Sequence, residues 1–255
     1  MIDLHTHILP GLDDGSPSLD HSIEMARRAV DAGIEVVAAT PHANNWSDRW
    51  DDQDYEEALA GLRQALDEHS LPLQIVTGCE AIAEPGLVHK IGQGQVRTLH
   101  GSRYLLFELP FQTYPTYVEH VVFELQVAGY VPVLAHPERY QVIQEDPNVL
   151  VPLIERGVLM QMNAGCVTGD FGNRVRETAE ILVRHSLVHL VASDAHVASQ
   201  YSAWSQARDQ IARWADSDQV DTFTRRVPVA MIANDVVIPP APRPYRRRRI
   251  WAPWG

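Results

Sequence analysis

Short β-branched or apolar runs alternate with longer amphipathic stretches along most of the chain. Seven runs read as strands, at residues 1–5, 34–40, 73–79, 103–108, 131–135, 158–162 and 188–193. Helical periodicity covers about 17–32, 52–69, 115–128, 147–156, 172–186 and 199–214, with residues suited to N-caps at Ser16, Ser18 and Thr116. A further helix near 217–226 leads to a last extended piece at 228–232. Glycine stands between helix and strand in Ala32-Gly33-Ile34, Ala128-Gly129-Tyr130 and Arg156-Gly157-Val158, where a helix C-terminus wants a left-handed residue. This alternation predicts βα units around a parallel sheet. Seven or eight units with polar residues at many strand ends predict an α/β fold, a distorted (β/α)7 TIM-like barrel in a single domain. An open doubly wound sheet is the alternative. That domain spans 1–237. Residues 238–255 are a Pro/Arg-rich tail with no periodicity, expected to be extended and flexible.

Composition narrows the classes. The chain of 255 residues is 45% hydrophobic and 21% charged. No apolar run approaches the ~18 residues of a membrane span, so none is expected. Net charge is −12, and five of the arginines, Arg243 and Arg246 to Arg249, fall in the tail; the remainder sets 16 positive charges against 33 negative ones. So acidic a body excludes a broad nucleic-acid or anionic-lipid footprint, and any phosphate it binds must meet a local positive charge. The tail's arginines, near Trp251 and Trp254, could engage an anionic partner, or the tail could lay its aromatics on its own body. Two cysteines, Cys79 and Cys166, make no disulfide framework or thiolate metal site. With no secretory signal at the N-terminus, a cytoplasmic location is expected.

The chemistry lies at the strand ends. His5 and His7 are two apart at the end of the first run, so strand geometry points both imidazoles to one face. Asp194 and His196 repeat that spacing after the last run. Between these pairs, His42, Glu80, Glu108 and His136 each stand where a strand gives way to a loop, and Asp13 and Asp14 lie in a glycine-flanked loop able to bend over the same rim. In a parallel barrel this is the C-terminal rim that carries active sites. Any one of these residues alone could be structural. Together, imidazoles and carboxylates gathered at one mouth are costly without cations and predict a polynuclear metal site. A nitrogen and oxygen donor set suits manganese, iron or zinc. His21, His69, His89, His100, His120, His185 and His189 are expected to be structural or solvated, and Cys79 to be a packed thiol on the far face of its strand.

The succession His5-Thr6-His7, Leu12-Asp13-Asp14-Gly15, Pro41-His42, Gly78-Cys79-Glu80, Phe107-Glu108, Ala135-His136-Pro137-Glu138-Arg139-Tyr140, Gln161-Met162-Asn163-Ala164 and Ala192-Ser193-Asp194-Ala195-His196 resembles the polymerase and histidinol phosphatase (PHP) superfamily. Within it, the likeness is to bacterial manganese-dependent protein-tyrosine phosphatases of capsule and exopolysaccharide loci. It covers roughly residues 1–196. The resemblance implies a PHP-fold barrel with three divalent metals, manganese first with iron or zinc as alternatives. One metal would be held by the counterparts of His5, His7, Glu80 and Asp194, a second by those of Glu80, Glu108 and His136, and the third by those of Asp14, His42 and His196. It assigns catalysis to His42, His136 and Arg139, with Arg139 on the phosphate, and a phosphotyrosine protein, a bacterial tyrosine autokinase, as partner.

Three divalent cations outweigh the four carboxylates of such a site, so an acidic protein can still hold a phosphate dianion for attack by metal-activated hydroxide. The rivals are a small-molecule phosphatase of the histidinol-phosphate type and a PHP-like scaffold without turnover. The chain departs from the family pattern in carrying Ala43-Asn44-Asn45 and Val197-Ala198-Ser199-Gln200-Tyr201 where relatives place basic residues; Arg49 is a possible substitute.

Overall fold

A computed structural model describes residues 1–43 and 50–246. Arg49 and the tail from Arg247 onward, including Trp251 and Trp254, lie outside the described residues. Each of the seven apolar runs contains a strand. The strands are β1 (Ile2–Thr6), β2 (Val36–Ala39), β3 (Gln74–Thr77), β4 (Ala81–Ile82), β5 (Tyr104–Glu108), β6 (Val131–Ala135), β7 (Leu159–Asn163) and β8 (Leu190–Ala192). All pairings are parallel, in two sheets ordered β1-β2-β3 and β4-β5-β6-β7-β8. Single bridges tie the sheets together near their C-terminal ends. His42 pairs with Glu80, in the three-residue break between β3 and β4, and Thr6 pairs with Ala195. The Asp194 amide donates to the His5 carbonyl at 2.8 Å and the His7 amide to that of Ala195 at 2.9 Å, so the two ends of the chain's strand series meet.

Alternation along the strands divides the core. Tyr104, Leu106, Val133, Ala135, Leu159 and Leu190 join one cluster, together with Leu4 and Ala38. Leu105, Phe107, Leu134, Met160 and Val191 turn the other way, into the larger cluster formed with the helices. Each such fully buried side chain contributes roughly 1.5–3 kcal/mol. The strands are apolar on both faces because both faces are covered, which is why the runs read so clearly in sequence.

Helix prediction holds less evenly. Ser18 caps the helix Leu19–Asp31 by accepting from the His21 amide, whereas Ser16 bonds backward, its amide to the His7 carbonyl. Thr116 caps nothing: the helix Val118–Val127 starts at Tyr117 with no side-chain cap. The piece at 228–232 is helical, not extended. The helix Val227–Ile232 continues from Ser217–Asp221 through a wide turn, and it delivers Met231 to the inner cluster. The short helices Leu87–Gly92, Gln141–Glu145 and Ala164–Thr168 are too brief to show periodicity.

Beyond residue 237 the described tail has neither helix nor strand. It still touches the body: the Arg243 amide donates to the His185 carbonyl at 2.8 Å, the Tyr245 amide to Asn148 at 2.7 Å, and the Tyr245 ring meets His185 edge-on. Among the described residues no helix is long and apolar enough to cross a membrane.

Candidate metal centre

The centre begins with an irregularity in β1. Asp3 lies opposite Val37, yet Thr6 lies opposite Ala39, so β1 uses one more residue than β2 over the same span. This β-bulge shifts the alternation by one. Leu4 stays in the inner cluster while His5 and His7 join the same side at the strand's end. Buried Asp3 holds the bulge, its Oδ1 accepting from the amides of His5 and Ser193.

His5, His7, Glu80 and Asp194 form a fully buried set. The Nε2 atoms of His5 and His7 are 3.2 Å apart. His5 Nε2 is 3.2 Å from both Glu80 Oε2 and Asp194 Oδ1, and His7 Nε2 is 3.4 and 3.3 Å from the same two oxygens. Ligands ~2.0–2.1 Å from a common ion in a tetrahedral arrangement stand roughly 3.3 Å apart. The donor spacing therefore fits a divalent cation, and the mixed imidazole and carboxylate chemistry suits manganese, iron or zinc.

Two further sets adjoin it. His7, Asp14, His42 and His196 form one, and His42, Glu80 and Glu108 another. Asp14 Oδ1 is 3.4 Å from His196 Nε2 and 3.6 Å from His42 Nε2. His42 Nδ1 is 3.3 Å from both Glu80 Oε2 and Glu108 Oε1. His136 Nε2 lies 2.9 Å from Glu80 Oε1 but 4.0 Å from Glu108 Oε2. All nine residues singled out in the sequence lie in or beside these sets: His42 and His136 both approach Glu80 and Glu108, and His7 faces two sets. His136 and Asp194 both adopt left-handed backbone, φ 36° and 52°, a conformation costly for residues other than glycine and common where a site fixes a side chain.

Three supporting contacts were not read from the sequence. Asp13, not its neighbour Asp14, is the buried member of the loop: Oδ2 accepts from His7 Nδ1 at 2.7 Å and the His42 amide at 2.9 Å, while Oδ1 takes the Gly15 amide. Gly15 is required there, since a Cβ would come within 2.3 Å of the His7 carbonyl oxygen. Gln161 meets His5 Nδ1 at 2.8 Å and donates to Asn163, which in turn donates to Asp194 at 2.7 Å. Such partners fix ring orientation and tautomer, leaving Nε2 free for a metal. The visible signal was two polar residues, two apart, within the apolar run of β7.

Of the other histidines, His21, His69, His89, His100 and His120 are exposed and His185 is half-buried. His189 is buried, accepts from the Met160 amide, and is driven by burial down to about 3. Cys79 is buried with its thiol pushed up to about 12, also by burial, and Cys166 is raised in the same way, so neither is a thiolate nucleophile.

The sequence matches, over residues 1–233, the family described as "Capsular polysaccharide synthesis, CpsB/CapC". The chain belongs to the CpsB/CapC family. It is 34% identical to the tyrosine-protein phosphatase YwqE of Bacillus subtilis over 251 residues, 98% of this chain and 99% of that protein. It is 28% identical to the tyrosine-protein phosphatase CpsB of Streptococcus pneumoniae over 219 residues, 84% and 90% of the two chains. A solved structure from the work on YwqE and CpsB, described as unique metal-dependent tyrosine phosphatases, superposes with a TM-score of 0.92, covering 97% of this chain and 100% of that one. Histidinol phosphate phosphatase of Lactococcus lactis shares the fold at a TM-score of 0.54 and 13% identity, covering 84% of this chain and 95% of that one.

Electrostatics in this CpsB/CapC chain follow from the pairing. Burial opposes charge on His5, but Glu80 and Asp194 outweigh it and lift the imidazole to about 9; His7 is raised likewise, chiefly by Asp13. Burial would raise Glu80 and Asp194, yet the facing imidazoles hold both well below the usual carboxylate range. Asp13 falls to about 2 for the same reason. In the metal-free protein His5 therefore keeps its proton from its ordinary 6.5 up to about 9, and a metal must displace it. Affinity for manganese is expected to rise with pH across that window, by about tenfold per unit for each proton released. Calorimetric titration of metal-free protein at pH 6.5, 7.5 and 8.5 checks this; flat affinity would contradict the pairing.

Proposed function

We propose that this chain is a metal-dependent phosphomonoester hydrolase acting on phosphotyrosine in proteins, with a bacterial tyrosine autokinase as its partner in capsule or exopolysaccharide control. The reading takes three divalent ions, manganese foremost and iron or zinc otherwise, held by His5, His7, Asp14, His42, Glu80, Glu108, His136, Asp194 and His196. It places the enzyme in the cytoplasm, residues 1–237 in one domain with 238–255 as an appended tail, and the two linked sheets as a distorted seven-position barrel. The observation that carries it is the convergence of His5, His7, Glu80 and Asp194 donor atoms at 3.2–3.4 Å. Full-length likeness to YwqE supports the same conclusion.

When bound, the ions supply positive charge for phosphoryl oxygens and acidify a water for attack. The chain's own residues do the rest. Arg139 gives Nη1 to Asp194 Oδ2 at 2.9 Å, which anchors one edge of the guanidinium beside the centre and leaves further N–H donors to grip the phosphate. Asp13 and Gln161 hold His7 and His5 in the tautomers that present Nε2. His42 and His136 each meet one oxygen of Glu80, Oε2 at 3.3 Å and Oε1 at 2.9 Å, and so hold that carboxylate from both of its oxygens. Phenolate is a fair leaving group, pKa near ~10, so little general-acid help is needed.

The test compares manganese-loaded protein on a phosphotyrosine peptide and on histidinol phosphate, with and without chelator. Chelator-sensitive turnover of the peptide is expected. Turnover of histidinol phosphate alone would move the chain to the small-molecule class, and no metal-dependent turnover of either would make it a scaffold.

A further inference from the structure

Two exposed phenyl rings on separate loops converge on the guanidinium that is anchored to the metal centre. Phe111 follows β5, three residues after Glu108, and its ring centroid is 4.5 Å from the Arg139 guanidinium carbon. Phe171 lies in the loop after the helix Ala164–Thr168, and its ring centroid is 4.9 Å from the same carbon. Both stay 40–41% exposed, although each is an apolar side chain beside a cluster of charged ones.

Neither ring is loosely held. Phe111 stacks on Tyr140 at 5.7 Å and 28°, leans on His136 at 5.5 Å, and its carbonyl accepts from the Gln141 amide. Phe171 sits between Gly169 and Gly172, both in left-handed backbone, at φ 97° and 93°. Its ring edge lies over Gly165, where a Cβ would approach within 3.1 Å. Each ring is thus held by the protein, with the Arg139 guanidinium against it, and about two-fifths of each residue stays open to solvent.

We propose that Phe111 and Phe171 form an aromatic subsite that receives the phenyl ring of the phosphorylated tyrosine. This rests on the phosphotyrosine reading above. In an aryl phosphate a single oxygen separates phosphorus from the ring, so a phosphoryl group gripped by Arg139 brings that ring beside the guanidinium. There it meets the exposed surface of the two phenyl rings, and aromatic pairs favour offset or edge-to-face contact at ~4.5–7 Å between centroids. A serine or threonine phosphate offers no such surface. The subsite would therefore select aryl over alkyl phosphomonoesters by contact with the leaving group, while the metals and Arg139 treat both alike.

Phenylphosphonate and methylphosphonate, which carry no ester to hydrolyse, separate this from chemistry. On manganese-loaded wild-type protein, calorimetry is expected to give at least tenfold tighter binding of phenylphosphonate. Phe111→Ala and Phe171→Ala should each cut that preference severalfold, Phe111→Leu should cut it while keeping bulk, and Phe111→Tyr should restore it. A parallel loss for both phosphonates would show that the rings only position Arg139 and would overturn the subsite, as would an unchanged preference in both alanine variants. Turnover of the phosphotyrosine peptide with no phenyl preference defeats the subsite alone. A phenyl preference without peptide turnover leaves the subsite standing and defeats the functional reading instead.

Discussion

Glu80→Gln is expected to lower kcat/KM for p-nitrophenyl phosphate by on the order of 10²–10⁴-fold and to reduce the bound metal. The carboxylate is wholly buried and faces four imidazoles: Oε1 meets His136 at 2.9 Å, and Oε2 meets His42, His5 and His7 at 3.3, 3.2 and 3.4 Å. Glutamine keeps the shape and removes the charge. Breaking a buried charged set from one side costs roughly 3–5 kcal/mol, because the groups left behind remain desolvated. Here the loss falls on two of the three donor sets at once, since Glu80 belongs to both. Metal analysis by plasma emission alongside the rate provides the check. A variant with a full metal complement and a rate within threefold of wild type would remove Glu80 from the centre.

Much of this centre was readable in the sequence because its logic is one-dimensional. Parallel strands covered on both faces appear as apolar runs, and polar residues at or just past most run ends, with the His5/His7 and Asp194/His196 pairs and the Asp13-Asp14 loop, fall at one rim. What stayed hidden is three-dimensional. The bulge in β1 leaves no mark on composition, yet it sets the direction of His5 relative to Leu4. Asp13 and Asp14 are chemically identical neighbours, and only the turn enforced by Gly15 decides that one is buried under His7 and the other faces His196. The left-handed backbone at His136 and Asp194 is likewise a product of tertiary fit. Phe111 and Phe171 carried no signal, since a phenylalanine in a loop reads as ordinary packing until Arg139 is seen between them.

Arg139→Ala is expected to act differently from loss of a ligand: kcat/KM should fall about 10²–10³-fold with the metal content unchanged. The magnitude is that of removing one preorganised donor from a developing oxyanion, roughly 2.7–4 kcal/mol. The separation of effects follows from Asp194. Arg139 holds its Oδ2, but so does Asn163 Nδ2 at 2.7 Å, while Oδ1 faces His5 and His7. Deleting the arginine therefore leaves that carboxylate oriented, and the metal set intact. Arg139→Lys should recover only a small part of the loss. An ammonium keeps the charge but cannot give one donor to Asp194 and others to a phosphoryl oxygen in a fixed plane, and it lacks the flat face that lies against Phe111 and Phe171. Steady-state kinetics and metal analysis on the two variants decide the matter. Full recovery by lysine would reduce Arg139 to a point charge, and metal loss in the alanine variant would make it part of the scaffold that holds Asp194.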